Sequence, residues 1–185
     1  IECINILFKI LAKRGNLQDL SEQLGHVEGA DNLMGLCEVV NIAKLKSYQV
    51  FFENNIENDN EEDWQSFLTS NQWLISQLFS YPATIYKDKA YVGGKTIFNS
   101  NGKVVDYLYR NDLTKNVALI EIKTPKTKLL GSAYRNNIYS VSDELSGGVN
   151  QILRYKDTLL KNWQELSVNQ DIIAFNPDCI LIIGN

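Results

Sequence analysis

Between Lys103 and Lys123 the chain reads KVVDYLYRNDLTKNVALIEIK: two apolar strands around a polar turn, with two carboxylates and a lysine that strand packing does not require. Residues two apart in a strand share a face. Val104, Asp106 and Leu108 are therefore expected on one face, with Val105, Tyr107 and Tyr109 on the other. The second strand divides into Val117, Leu119, Glu121 and Lys123 against Ala118, Ile120 and Ile122. A turn from Asn111 to Asn116 sets Asp106 opposite Glu121 and joins the Tyr107 face to the Ile120 face as one apolar surface. A slip of one residue would destroy that surface.

Like charges directly across a strand pair destabilise it by themselves. A bound cation reverses the sign. Mg²⁺ takes oxygen ligands, usually only one or two of them protein carboxylates, and fills its shell with water and substrate phosphate. Lys123, two residues past Glu121 on the same face, then stands where an ammonium orients an attacking water or offsets charge on a phosphate. The bland alternative is an ordinary solvated strand face, because E-x-K is a common triplet.

Several elements must position these groups. The meander leading into the hairpin contains the β-rich pieces Thr84–Tyr86, Ala90–Val92 and Thr96–Phe98, with a turn or bulge at Gly93-Gly94 and the hairpin signal Asn101-Gly102. Before it, the acidic run Asn58–Asp63 opens a helix whose inward face holds Trp64, Phe67 and Leu68; acids in a first turn suit the helix dipole. Glu61 shares that inward face, although capping alone explains an acid there. A second segment, Trp73 to Phe79, ends before Pro82. After Lys123, Thr124-Pro125 stops the strand, and Lys126 to Tyr139 reads as a basic, Tyr- and Arg-containing loop. Lys126, Lys128 and Arg135 are its candidate phosphate contacts.

Ser140 or Ser142 then caps a helix on which Glu144, Gly148, Gln151 and Tyr155 share one face, while Leu145, Val149, Ile152, Leu159 and Trp163 form the packed face. Gly147-Gly148 costs helix stability, so a close backbone approach is expected there. Two β-like pieces follow, Asp171–Phe175 and Cys179–Ile183. The second is apolar on both faces, the pattern of a central strand covered on both sides.

Charge and composition bound the function. The chain has 185 residues, is 44% hydrophobic and 22% charged, and carries a net charge of −4. That balance looks wrong for a nucleic-acid enzyme until it is divided: residues 1–83 hold 5 basic and 12 acidic side chains, whereas residues 84–163 hold 13 and 7. The segment containing the hairpin is a local positive field that draws in a polyanion. Cys3, Cys37 and Cys179 are too scattered for a disulfide framework or a zinc site, which points to a reducing cytosol; His26 reads as a surface residue. No apolar run reaches a membrane span. Residues 1–57 read as a helical segment, for packing, homo-oligomerisation or connection to an upstream regulatory region. The Ile1 start and the end directly after an apolar strand read as an excised piece of a longer protein.

The D-x14-E-x-K hairpin resembles the core of the PD-(D/E)xK nucleases. Glu61-x-x-Trp64, Gly93-Gly94-Lys95, Val105-Asp106-Tyr107, Ile120-Glu121-Ile122-Lys123-Thr124-Pro125, Tyr134-Arg135 and Gln151-x-x-x-Tyr155 are together similar to the nuclease domain of the Shedu family of bacterial anti-phage proteins. The resemblance covers residues 58–185. It implies an α/β, restriction-endonuclease-like mixed sheet flanked by helices, cleaving DNA with Mg²⁺ or Mn²⁺ in the bacterial cytoplasm. It also implies that Asp106 and Glu121 hold metal and Lys123 serves the attacking water. Gln151 and Tyr155 correspond to a Q-x-x-x-Y element, and Glu61, or the adjacent Glu62, completes the metal site. The rival is a non-catalytic nucleic-acid-binding or assembly module on the same scaffold, against which the intact Asp, Glu and Lys set argues.

Overall fold

The computed structural model describes residues 30–95, 100–168 and 170–184, and the side chains from Gly35 onward except Leu36 and Cys37. Thr96–Phe98, Cys3 and His26 lie outside the described residues. The chain divides into two units, 1–55 and 56–185. In the first, helix α1 runs Ala30–Asn55. Tyr48 is buried, whereas Val39, Val40, Ile42, Leu45 and Val50 are exposed.

The second unit opens with α2 (Glu61–Ser70) and α3 (Gln72–Ser76). Asn60 caps α2 by accepting from the Glu62 N–H at 3.0 Å, and Glu61, Glu62 and Asp63 form the acidic first turn. The strands are β1 (Ala83–Gly93), β2 (Lys103–Asn111) and β3 (Asn116–Ile122). A small hairpin, β4 (Leu130–Arg135) and β5 (Ile138–Val141), precedes α4 (Asp143–Lys161), α5 (Trp163–Leu166) and β6 (Ile173–Ile182). The four-stranded sheet has the order β1-β2-β3-β6. Its first two pairings are antiparallel and β3–β6 is parallel, so β3 and β6 require a crossover, which α4 supplies.

Two apolar clusters cover the two faces. Leu68 and Ile75 from α2 and α3 pack with Tyr107, Tyr109, Ala118, Ile120 and Ile122. On the other side Ile152 and Leu159 of α4 pack with Ala90, Val92, Leu108, Val117 and Leu119. The fold is thus the expected mixed sheet with helices on both faces, preceded by a helical segment. The β2–β3 register is also the expected one, with Tyr107 opposite Ile120 and Tyr109 opposite Ala118. Asn111 fixes it by accepting from the Leu113 and Thr114 N–H groups at 2.8 and 3.0 Å, and Lys115 takes φ 64°.

Several expectations need correction. Strict alternation fails at Val105, which packs in the Leu108 cluster rather than the Tyr107 cluster. The break falls at Asp106, opposite Lys89, where the β1–β2 pairing passes directly from Asp88–Tyr107 to Ala90–Val105 and Lys89 takes φ 45°. Residues Lys126 to Tyr139 are not simply a loop, since β4 and β5 pair within them. The two terminal β pieces are one strand, bent near Asn176 at φ 47° and a register shift between Asn116 and Ala118 of the neighbour. β6 lies at the edge of the described sheet, not its centre; Ile180 and Ile182 meet one apolar cluster and Cys179 the other. Two-sided apolarity reports cover above and below, not lateral neighbours.

Along α4, Ser142 is the N-cap, accepting from the Leu145 N–H at 3.0 Å. Val149 is exposed, and Gly148 takes the buried place instead. A Cβ there would meet Leu181 Cδ2 at 3.0 Å, while one at Gly147 would meet nothing within 4 Å. Gly147→Ala is therefore expected to stabilise the protein by about 0.5–1 kcal/mol in urea unfolding. Gly148→Ala gains the same propensity but crowds Leu181, so its net gain is smaller. Equal gains at both positions would refute a close α4–β6 approach.

Candidate active site

The β2–β3 ladder ends with Tyr107 opposite Ile120, and Asp106 and Glu121 are the next residues beyond that pair, close enough for the Asp106 charge to act on Glu121. Both are nearly buried, at 6% and 3% exposure. At this step a side chain takes over a backbone role: the Ile122 N–H donates to Asp106 Oδ2 at 2.9 Å. Asp106 Oδ1 accepts from Lys89 Nζ at 3.2 Å and from Gln65 Nε2. Three donors thus satisfy the carboxylate.

Glu121 is served on one oxygen only. Its Oε1 accepts from Lys123 Nζ at 3.0 Å and from Gln151 Nε2, while its Oε2 is buried with no hydrogen-bond partner. Burial pushes the Glu121 carboxyl above the ordinary range, the Asp106 charge adds to the rise, and the hydrogen bond and charge of Lys123 oppose it. Burial alone would lower Lys123. The hydrogen bond and charge of Glu121, with the charges of Glu61 and Asp106, outweigh it and hold the ammonium above its usual range.

Gln151 and Tyr155, one turn apart on α4, reach the site together: Gln151 Nε2 also donates to the Tyr155 hydroxyl at 2.9 Å. Glu61 arrives from the first turn of α2, where its Oε2 lies 3.6 Å from Lys123 Nζ. Lys123 therefore bridges Glu61 and Glu121. Glu62 is exposed.

Spacing alone missed two residues. Gln65 lies one turn after Glu61 on the inward face of α2 and is buried; an inward glutamine beside an inward acid was the available signal. Lys89 left no such signal, because its approach to Asp106 depends on the irregular step in β1. Tyr107 fixes α2 over the sheet by donating to the Gln65 carbonyl at 2.8 Å and sharing a hydrogen bond with Thr69 at 2.9 Å.

The basic residues Lys126, Lys128 and Arg135 after β3 are exposed. Lys126 pairs with Glu57 at 3.5 Å, and Arg135 stacks over Tyr134 at 5.2 Å. Ser142 ties the base of the small hairpin to α4, donating through Oγ to the Lys128 carbonyl. Tyr134, Ile138 and Tyr139 on the hairpin are exposed.

The donor set suits a hard divalent cation. An unpartnered buried carboxylate oxygen within the field of a second buried carboxylate is costly by itself, and such a cation would satisfy it. Among the described residues no three His, Cys, Asp or Glu side chains converge as a ready-made cage. Two carboxylates fit an ion that keeps much of its water.

A four-stranded mixed sheet with helices on both faces, and a buried carboxylate pair with a lysine at the end of its central hairpin, defines a mixed α/β protein with one acidic-basic polar site. The family model described as Shedu protein SduA, C-terminal, matches residues 58–185. The protein named Shedu protein SduA from Bacillus cereus (strain B4264) is 40% identical over 176 residues, covering 91% of this chain and 44% of its own length. The chain belongs to the Shedu family. It spans less than half the length of that relative.

Proposed function

We propose that this chain is a DNA endonuclease domain that hydrolyses phosphodiester bonds with Mg²⁺ or Mn²⁺ in bacterial anti-phage defence. One observation carries the reading: two buried carboxylates, Asp106 and Glu121, lie close enough to interact, one of them has an unpartnered oxygen, and the Lys123 amine is 3.0 Å from the other oxygen of that same carboxylate. Asp106 and Glu121 would hold the cation, which when bound acidifies water and offsets charge on the phosphorane.

The remaining groups act through position. Lys123, fixed between Glu121 and Glu61, orients the attacking water and lowers the energy of the charged transition state. Gln151, which also donates to the Tyr155 hydroxyl, holds the Glu121 oxygen that accepts from Lys123. Glu61 steadies the ammonium rather than joining the carboxylate pair.

The test is nicking of supercoiled plasmid by the full-length protein, titrated with Mg²⁺ and Mn²⁺. Divalent-dependent nicking is expected. Tight DNA binding without any nicking would select the non-catalytic scaffold instead. The DNA path is proposed to cross Lys126, Lys128 and Arg135, with Tyr134 beside them. Replacing the three by alanine should make the dependence of log affinity on log salt shallower, by roughly 0.9 for each duplex phosphate no longer neutralised. An unchanged slope would move the path elsewhere.

A further inference from the structure

We propose that Lys89 is an exchangeable counter-ion: it neutralises Asp106 while no divalent cation is bound, and turns into the adjoining cavity to hold a phosphate of the DNA strand when one is. The inference rests on the divalent-cation reading above. Lys89 Nζ sits 3.2 Å from Asp106 Oδ1, yet the lysine side chain is 55% exposed while that of Asp106 is 8% exposed. The ammonium therefore approaches a buried carboxylate from the solvent side, at the end of a flexible four-carbon stem.

The backbone brings it there. Lys89 takes φ 45°, a conformation uncommon for a side chain without a special reason, at the unpaired step of β1 opposite Asp106. Beside the pair lies a cavity of about 360 Å³, with Ser66, Thr69 and Ser70 among its lining residues. The Ser66 and Ser70 hydroxyls are donors suited to a phosphate oxygen, whereas Thr69 gives its proton to the Tyr107 hydroxyl. Asp88 is also on this lining, and Lys87 pairs with its carboxylate at 3.6 Å.

A lysine ammonium and a divalent cation on the same carboxylate oxygen repel each other. Lys89 must then yield Asp106 Oδ1, and the hydroxyl-lined cavity is the polar space next to it. The released charge faces the strand whose phosphate is being cut. The same lysine thus serves the carboxylate without the cation and the DNA with it.

The test compares the parent, Lys89→Met and Lys89→Arg in full-length protein by two measurements. Calorimetric titration with Mn²⁺ should show Lys89→Met binding roughly two- to fivefold more tightly than the parent, the worth of a part-exposed ion pair that no longer competes. Lys89→Arg should return toward the parent. Binding of a phosphorothioate duplex, which resists hydrolysis, should show a salt slope shallower by about 0.9 in Lys89→Met with Mn²⁺ present, and no change from the parent in EDTA. A parent that binds no Mn²⁺ overturns the divalent-cation reading and this inference with it. A parent that binds Mn²⁺, with unchanged affinity in Lys89→Met, overturns the inference alone. So does an equal slope change with and without Mn²⁺, which would make Lys89 a fixed phosphate contact.

Discussion

Asp106→Asn and Glu121→Gln are each expected to lower Mn²⁺ affinity by more than about a hundredfold, beyond the usual loss for a supporting residue, while moving the stability of the metal-free protein in opposite directions. Asp106 accepts from the Ile122 N–H, Gln65 and Lys89. An asparagine offers one oxygen and turns its NH₂ toward one of these donors. The cost is about 1–3 kcal/mol for a buried donor left unmet. Glu121 differs because the fold disfavours its charge: burial and the nearby Asp106 hold its carboxyl above the ordinary range. A permanently neutral glutamine removes the cross-strand repulsion and should stabilise the metal-free protein at neutral pH by up to about 1 kcal/mol.

The sign follows from linkage. A carboxyl whose pKa is raised on folding binds more protons folded than unfolded, so its penalty is full above the raised pKa and fades as pH falls toward the unfolded value of about 4.3. The advantage of Glu121→Gln should therefore shrink as denaturation is repeated from pH 7 downward. Urea unfolding with EDTA, paired with Mn²⁺ calorimetry, checks both halves. Retained Mn²⁺ affinity in either variant removes that residue from the ligand set. A stability gain in Asp106→Asn would contradict its three-donor environment.

Lys123→Met should separate binding from chemistry. Both carboxylates remain, so Mn²⁺ should still bind, while plasmid nicking should fall by roughly 10²–10³-fold, the range for losing one preorganised electrostatic group at a reacting centre. Glu121 and Glu61 hold the Lys123 ammonium above its ordinary range. It therefore works as a charge and a hydrogen-bond donor at neutral pH, not as a proton acceptor. Lys123→Arg should recover part of the activity for that reason, the geometry of its fork limiting the rest. Full activity in Lys123→Met would show that the chemistry lies elsewhere. An arginine variant as inactive as the methionine one would point to a lysine acting as a base.

The sequence by itself determined the centre of this protein. Alternating apolar residues admit only one β2–β3 register that buries Tyr107, Tyr109, Ile120 and Ile122 together, and Asp106 and Glu121 follow directly on its last pair, Tyr107–Ile120. Helical spacing likewise carried Gln151 and Tyr155 to one face of α4, and the Gly147-Gly148 pair marked a close approach that the structure makes at Gly148 and not at Gly147. These are local rules of period and turn, legible without knowing what lies across the sheet. The tertiary structure alone decided the rest. The α2 packing brought Glu61 to Lys123, left Glu62 exposed, and turned Gln65 onto Asp106. An irregular step in β1 delivered Lys89 to the same carboxylate. The apolar pattern of β6 identified its two covered faces but not its place at the edge of the described sheet. Periodicity fixes which way a side chain leaves its own element, whereas the partner it meets depends on how separate elements pack, and on breaks in regularity that no period encodes.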